Sequence, residues 1–188
     1  NSILTTVYQW AANSGWDTFD SAKGLAEDIG ASFYSWRIDK EVASYTSTLE
    51  VCLQRKLTWE QDDITLQNIQ ARSRAPIVWM LTNVKNALLI TTSNRSEGDV
   101  GYATMDGDTC GSIAPIAGVE KAFVQQWLIW AQSTLGYEGL RYVNALIPTA
   151  ELRPPDRSQT DEKDLMPYPI LALIEKEAIR NWKSPKEV

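Results

Sequence analysis

Hydrophobic and polar positions change period several times along this chain, and the changes mark its elements. Residues 3–10 (ILTTVYQW) are β-branched and aromatic, which suits a strand. Asn13-Ser14-Gly15 then signals a turn. Ala22, Leu25, Ala26 and Ile29 share one face at helical spacing, with Asp20 or Ser21 expected as the cap and Gly30 as the stop. Residues 31–38 (ASFYSWRI) return as a strand, giving a β-α-β unit with a parallel pair and a right-handed crossover. Residues 40–55 read as a helix with Val42, Tyr45, Leu49, Cys52 and Leu53 on its apolar side. A helix from Ile64 to about Val84, capped by Asp63, is expected to kink or divide at Pro76. A third strand is expected at 87–91, and a helix at 119–134 carrying Phe123, Trp127 and Trp130, ended by Gly136. A short helix near 142–146, a polar, Pro-containing mobile loop over 152–169 and a final amphipathic helix at 170–182 complete the chain. The pattern predicts one domain, a three-layer α/β/α sandwich with a parallel sheet in which residues 3–10, 31–38 and 87–91 are neighbouring strands.

The stretch that organises the rest is ALLITTSNRSEGDVGYATMDGDTCGSIAPIAGVEK, residues 87–121. An apolar run empties there into a polar loop rich in glycine before the next helix begins. In open α/β sheets such a place, at the carboxyl end of a strand, is where ligands bind. Glu97, Asp99, Asp106 and Asp108 stand close together in sequence beside small residues. Carboxylates in that setting suit Mg²⁺ shared with substrate phosphates, and equally a solvated acidic loop; spacing alone does not separate the two. Candidate bases for an anionic ligand are Arg72, Arg74, Arg95 and Lys121. Asn68 and Arg72, four apart, share a helix face, whereas Arg74 points elsewhere.

Composition narrows the chemistry. There is no histidine, which removes Ser-His-Asp and Cys-His catalysis and histidine-based zinc sites from this chain. Cys110 therefore lacks a base to activate it, and Cys52 and Cys110 form no metal-ligand motif; a reduced pair in a cytoplasmic protein is expected. A net charge of −6 argues against a nucleic-acid surface, and no apolar run approaches bilayer length. The sequence opens Asn-Ser-Ile without Met, so a longer parent chain is expected.

The motif TTSNRSEGDVGYATMDGDTCGSIAPIAGVEK resembles the signature region of NAD⁺ synthetases: T-x-N-[KR]-[ST]-E, G-Y-x-T, G-D, a Pro, and a Lys opening the next helix. The likeness extends through NIQARSR (68–74), IPTAELRP (147–154) and SQTDEKDL (158–165). It implies the Rossmann-like adenine nucleotide alpha hydrolase fold of the ATP pyrophosphatase (PP-loop) superfamily. It also implies a phosphate loop, SGG-x-D-S, after a first strand. Neither the first strand nor that loop is in this sequence.

The activity implied is ATP-dependent amidation of deamido-NAD⁺ to NAD⁺ through an adenylated intermediate that ammonia attacks, releasing AMP and pyrophosphate. By the resemblance Thr92, Lys121 and Thr149 meet ATP, and Glu97 holds Mg²⁺. Asn68, Arg72, Asp108 and Asp164 hold deamido-NAD⁺, and Lys121 and Asp108 stand at the catalytic centre. Met166 stands where a Gly is expected, near Asp164. The wording S-N-R-S-E and the many tryptophans lean toward the glutamine-dependent form, whose ammonia comes from a fused nitrilase-like glutaminase domain. A homodimer or higher homo-oligomer is implied, through helices bearing Trp79 and Trp127 or Trp130. The alternatives are another amidating or thiolating PP-loop ligase and a non-catalytic nucleotide-binding module.

Overall fold

The structure, a computed structural model, describes residues 3–157 and 159–188. Asn1, Ser2 and Ser158, the last of which opens the SQTDEKDL stretch, lie outside the described residues. Strands β1 (Thr5–Trp10) and β2 (Ser32–Arg37) pair in parallel, in register from Thr5 opposite Ser32 to Trp10 opposite Arg37. Helix α1 (Trp16–Asp28) makes the crossover between them. Alternation along the strands puts Tyr8, Trp10 and Phe33 on one face of the sheet. Phe19 of α1 packs there, with ring centroids 5.4 Å from Tyr8, 4.6 Å from Trp10 and 5.9 Å from Phe33. These are the offset and edge-on contacts that aromatic quadrupoles favour. On the opposite face Lys85 Nζ lies 5.0 Å from the centre of the Tyr34 ring. Lys85 ends helix α4 (Ala75–Lys85), so a helix reaches the second face as well, consistent with the expected three layers.

Helix α1 begins earlier than its apolar face suggests. Gly15, not Asp20 or Ser21, is its N-cap, because Glu151, distant in sequence, supplies the capping acceptor. Helix α2 (Asp39–Leu53) ends on Gln54 in the left-handed conformation. Helix α3 (Asp63–Arg72) has Asp62 as its N-cap, and the side chains of Asp62 and Asp63 are committed elsewhere. Asp62 takes the Arg55 guanidinium at 2.6 Å and the Thr58 N–H at 3.0 Å, while Asp63 takes Arg153 at 2.9 Å. The expected division falls at Ser73-Arg74, with Pro76 in the first turn of α4, where its missing N–H breaks no helical bond.

Residues 87–91 correct the expectation of a third neighbouring strand. Among the described residues this segment makes a single bridge, Ile90 with Ile113, supported by Thr91 N–H to the Ile113 carbonyl (2.9 Å) and Ser112 N–H to that of Leu89 (2.8 Å). It does not join the β1–β2 sheet, and a cavity of about 200 Å³ is lined by Gln9 of β1 together with Arg74, Val78, Ile90 and Cys110. The bridge requires glycine at 111, since a Cβ there would sit 2.5 Å from the Thr91 nitrogen.

Helices α5 (Arg95–Asp99) and α6 (Lys121–Trp130) follow, the latter widening into a π turn at Ala131–Leu135 before Gly136. Helix α7 (Leu140–Ala145) packs on α1. Segment 152–169 carries a 3-10 turn (Pro155–Arg157) and helix α8 (Asp161–Asp164). Helix α9 (Tyr168–Ile174) runs into a second π turn, Glu175–Arg180. Among the described residues no helix is long and apolar enough to cross a membrane.

Candidate active site

Thr92 leaves the 87–91 segment and Asn94 starts α5. The Asn94 side chain accepts the Glu97 N–H at 3.1 Å, and Glu97 Oε2 accepts the Asn94 N–H at 3.2 Å. This capping box fixes the Glu97 side chain at the helix mouth. Its other oxygen, Oε1, takes the Lys121 ammonium at 3.1 Å. Lys121 opens α6, tied to α5 by its N–H to Ser96 Oγ (3.1 Å), and also faces Asp161 at 3.8 Å. Tyr168 donates to Asp161 at 2.6 Å. Burial, then this bond, pushes the Tyr168 phenol far up, so it stays a donor.

Glu97, Lys121 and Asp161 line a cavity of about 350 Å³ together with Thr92, Asp108 and Thr149. A second cavity, of about 500 Å³, lies alongside and includes Asn68, Arg72, Asp108, Arg153 and Asp164. Tyr102, Asp108 and Ala150 belong to both. The sequence-derived residues thus divide by the ligand assigned to them. Thr92, Glu97, Lys121 and Thr149 face the smaller cavity, Asn68, Arg72 and Asp164 the larger, and Asp108 the seam.

Within the larger cavity Asn68 Oδ1 accepts from Thr104 Oγ1 (3.0 Å), and Arg72 Nε donates to the Met105 carbonyl (2.9 Å). Asp108 Oδ2 accepts the Thr104 N–H at 2.7 Å, and its carbonyl takes the Thr91 and Ser93 hydroxyls. Asp164 accepts from Tyr102 (2.9 Å), Gln159 (2.9 Å) and Arg153 (2.7 Å). Burial raises its carboxyl, and those three donors outweigh burial and hold it below the usual carboxylate range. Arg153 also pairs with Asp63, joining segment 152–169 to α3. Thr149 Oγ1 donates to the Gln159 carbonyl at 2.8 Å and accepts the Glu151 N–H.

One sequence expectation is corrected here, and two are narrowed. Arg95 does not join the anion-binding bases: it pairs with Glu120 (2.6 Å), Glu175 (3.3 Å) and Asp99 (3.8 Å), and Glu175 is wholly buried. Arg74 faces a third cavity, beside β1, which Thr92 and Asp108 also line; desolvation there pulls its guanidinium below the usual value. The acids Glu97, Asp99, Asp106 and Asp108 do not converge; among the described residues no group of three or more Cys, Asp or Glu side chains is placed to hold a metal ion. A metal here would rest on Glu97, with the other oxygens from phosphates, which is how Mg²⁺ is usually held. Sequence reasoning missed Tyr102, Arg153 and Asp161. All three lie inside the quoted motifs, Asp161 within SQTDEKDL, which is the signal that could have found them.

Comparison with known proteins adds to this geometry. A family model described as NAD synthase matches residues 5–188. The chain is 35% identical over 184 residues to a glutamine-dependent NAD(+) synthetase of Aquifex aeolicus, covering 97% of this chain and 31% of that protein. It is similar to the crystal structure of a glutamine-dependent NAD(+) synthetase from Cytophaga hutchinsonii. That match has 58% identity and a TM-score of 0.83, over 97% of this chain and 28% of that one. An NMN synthetase from Francisella tularensis, at 22% identity and a TM-score of 0.75 over 97% and 69% of the two chains, shares the fold. The chain thus spans about a third of the length of the glutamine-dependent relatives.

Proposed function

This chain belongs to the NAD synthase family, and we propose that the polypeptide containing it amidates deamido-NAD⁺ to NAD⁺ with ATP. A carboxylate oxygen of the nicotinate ring attacks the α-phosphorus of ATP, and the bond to pyrophosphate breaks. Ammonia then attacks the carboxyl carbon of the mixed anhydride, and AMP leaves as the nitrogen loses a proton. Adenylation is needed because AMP departs far more readily than oxide. Binding and orienting two large substrates side by side supplies much of the acceleration.

The observation that carries the reading is the pair of cavities meeting at Asp108, with each set of assigned residues on its own side. Thr92, Thr149 and the Lys121 ammonium bind ATP, and Lys121 places a positive charge where phosphate charge accumulates. Glu97 holds Mg²⁺, which supplies cationic charge to the phosphates when bound. Asn68, Arg72 and Asp164 hold deamido-NAD⁺, and Asp108, on the seam, stands at the junction of the two substrates with Lys121 as the catalytic pair. Segment 152–169 is the mobile loop that admits them, released when Arg153 lets go of Asp63 and Asp164. Likeness to the glutamine-dependent relatives favours ammonia delivered by a nitrilase-like glutaminase domain of the same polypeptide. The exposed Trp79, Trp127 and Trp130 favour a homodimer, and the two free cysteines favour the reducing cytoplasm.

The test incubates the intact natural polypeptide with ATP, Mg²⁺, deamido-NAD⁺ and ammonium. NAD⁺ and AMP are expected in equal amounts. Amidation of xanthosine monophosphate instead would make it another PP-loop ligase, and nucleotide binding with no turnover would make it a binding module.

A further inference from the structure

We propose that Glu151 is a positioning residue that fixes the wall shared by the two cavities, a role that rests on the functional reading above for the identity of their occupants. Pro148, Thr149 and Ala150 line the smaller cavity, and Ala150, Leu152 and Arg153 the larger. Glu151 lines neither. Its backbone sits at φ +49°, in the left-handed region that a residue with a Cβ rarely occupies. That turn leaves Ala150 against both cavities and Leu152 against the larger one, while the Glu151 side chain departs for α1.

There the carboxylate is held at several points. Oε1 accepts the Gly15 N–H at 3.2 Å, and the Thr18 hydroxyl lies 3.2 Å from Oε1 and 3.0 Å from Oε2. A hydroxyl has one proton to give: that of Thr18 has Glu151 Oε2 and the Gly15 carbonyl both at 3.0 Å, and the Tyr8 hydroxyl stands 2.7 Å from the same oxygen, where either can donate. The carboxylate thereby caps a helix whose N-cap glycine has no side chain to do so. A Cβ on Gly15 would stand 3.1 Å from Oε1, so the absence of one leaves the carboxylate its seat. The backbone is held as well. Buried Gln70 donates to the Glu151 and Leu152 carbonyls at 3.3 and 3.1 Å, and Asn13 to the latter at 3.0 Å. A conformation that residue 151 would otherwise leave is therefore retained by bonds directed away from both cavities.

The experiment uses the intact natural polypeptide with Glu151→Ala, Glu151→Gln, Glu151→Gly and Thr18→Val. Readouts are steady-state KM and kcat for both substrates, melting temperature, and amide exchange over 149–153 without ligand. Glu151→Ala should raise both KM values by about tenfold and lower kcat, since small misplacements of a binding wall are costly. Glu151→Gln should stay within about threefold of wild type, because its amide oxygen still accepts. Glu151→Gly should melt higher than Glu151→Ala, its φ being unstrained, yet keep the raised KM values. Thr18→Val should move KM the same way and add little to Glu151→Ala. Unchanged KM values with a lower melting temperature would overturn the proposal, as would a change confined to one substrate. If wild type amidates nothing, the functional reading fails by itself. Exchange then decides: faster in Glu151→Ala than in Glu151→Gln upholds the clamp, equal rates overturn it.

Discussion

Glu97 uses one oxygen to cap α5 and offers the other to Lys121. Glutamine preserves the first bond, because a capping box accepts either residue, and loses the charge. Glu97→Gln is therefore expected to fold and to bind deamido-NAD⁺ normally. ATP–pyrophosphate exchange dependent on deamido-NAD⁺ should fall about 10²-fold, the scale of losing one preorganised electrostatic stabiliser. Exchange at the wild-type rate would make Glu97 only a cap. Arg72, on the far side of Asp108, should behave differently. Arg72→Ala should cost on the order of 2 kcal/mol in deamido-NAD⁺ binding, read by calorimetry, with ATP affinity almost unchanged. Equal losses for both ligands would move Arg72 to the seam. Asn68 and Arg72 could be placed together from sequence because four residues make about one helical turn. Arg95 could not be placed, since its buried partner Glu175 is eighty residues away and nothing local announces it.

Elements were legible wherever their cause is local. Pro76 divides α3 from α4, and Gly30, at φ +67°, ends α1. The 87–91 strand misled because its residues have strand propensity, but a strand exists only where a neighbour is in reach, and β1 lies across a cavity. The remaining bridge can be tested at its tightest point. Gly111→Ala should destabilise by about 1–3 kcal/mol through overpacking, lowering the melting temperature by several degrees. An unchanged melt would mean the bridge yields freely. The turn before α3 carries an acid-sensitive fastening. Hydrogen bonds from Arg55 and then the Thr58 N–H hold the Asp62 carboxyl down to about 2. An unfolded Asp titrates near 3.9, roughly, so this contribution is complete above that value and is lost as the pH falls toward about 2. Arg153 likewise holds Asp63 below the usual range. Asp62→Asn should flatten the stability–pH curve in that acid window and leave its shape at neutral pH alone.

At the scale of the whole molecule, several large apolar side chains of α4 and α6 are exposed. Trp79 is 38% exposed, Trp127 45% and Trp130 47%, with Met80 and Phe123 nearby in sequence and exposed more. Such aromatic and Met surfaces are enriched at subunit contacts. Light scattering on the intact polypeptide should give the mass of a dimer, and Trp127→Glu with Trp130→Glu should return a monomer. A wild-type monomer would leave those side chains without a role in assembly. The layering itself was readable, because a β-α-β unit constrains handedness and both sheet faces must be covered. Cavity shape was not, since the wall at 148–153 is set by Asn13, Gly15, Thr18 and Gln70, all far away in sequence.

Tyr102, Asp108 and Ala150 belong to both cavities at once. Whatever fills one therefore touches groups that the other occupant also touches, and the two equilibria are linked. Linkage is reciprocal: the factor by which a non-hydrolysable ATP analogue tightens or loosens deamido-NAD⁺ must equal the factor in the opposite direction. If the first ligand sets Tyr102 and Asp108 for the second, both dissociation constants fall together, and at concentrations where neither ligand alone saturates, the two cavities fill as a pair or stay empty.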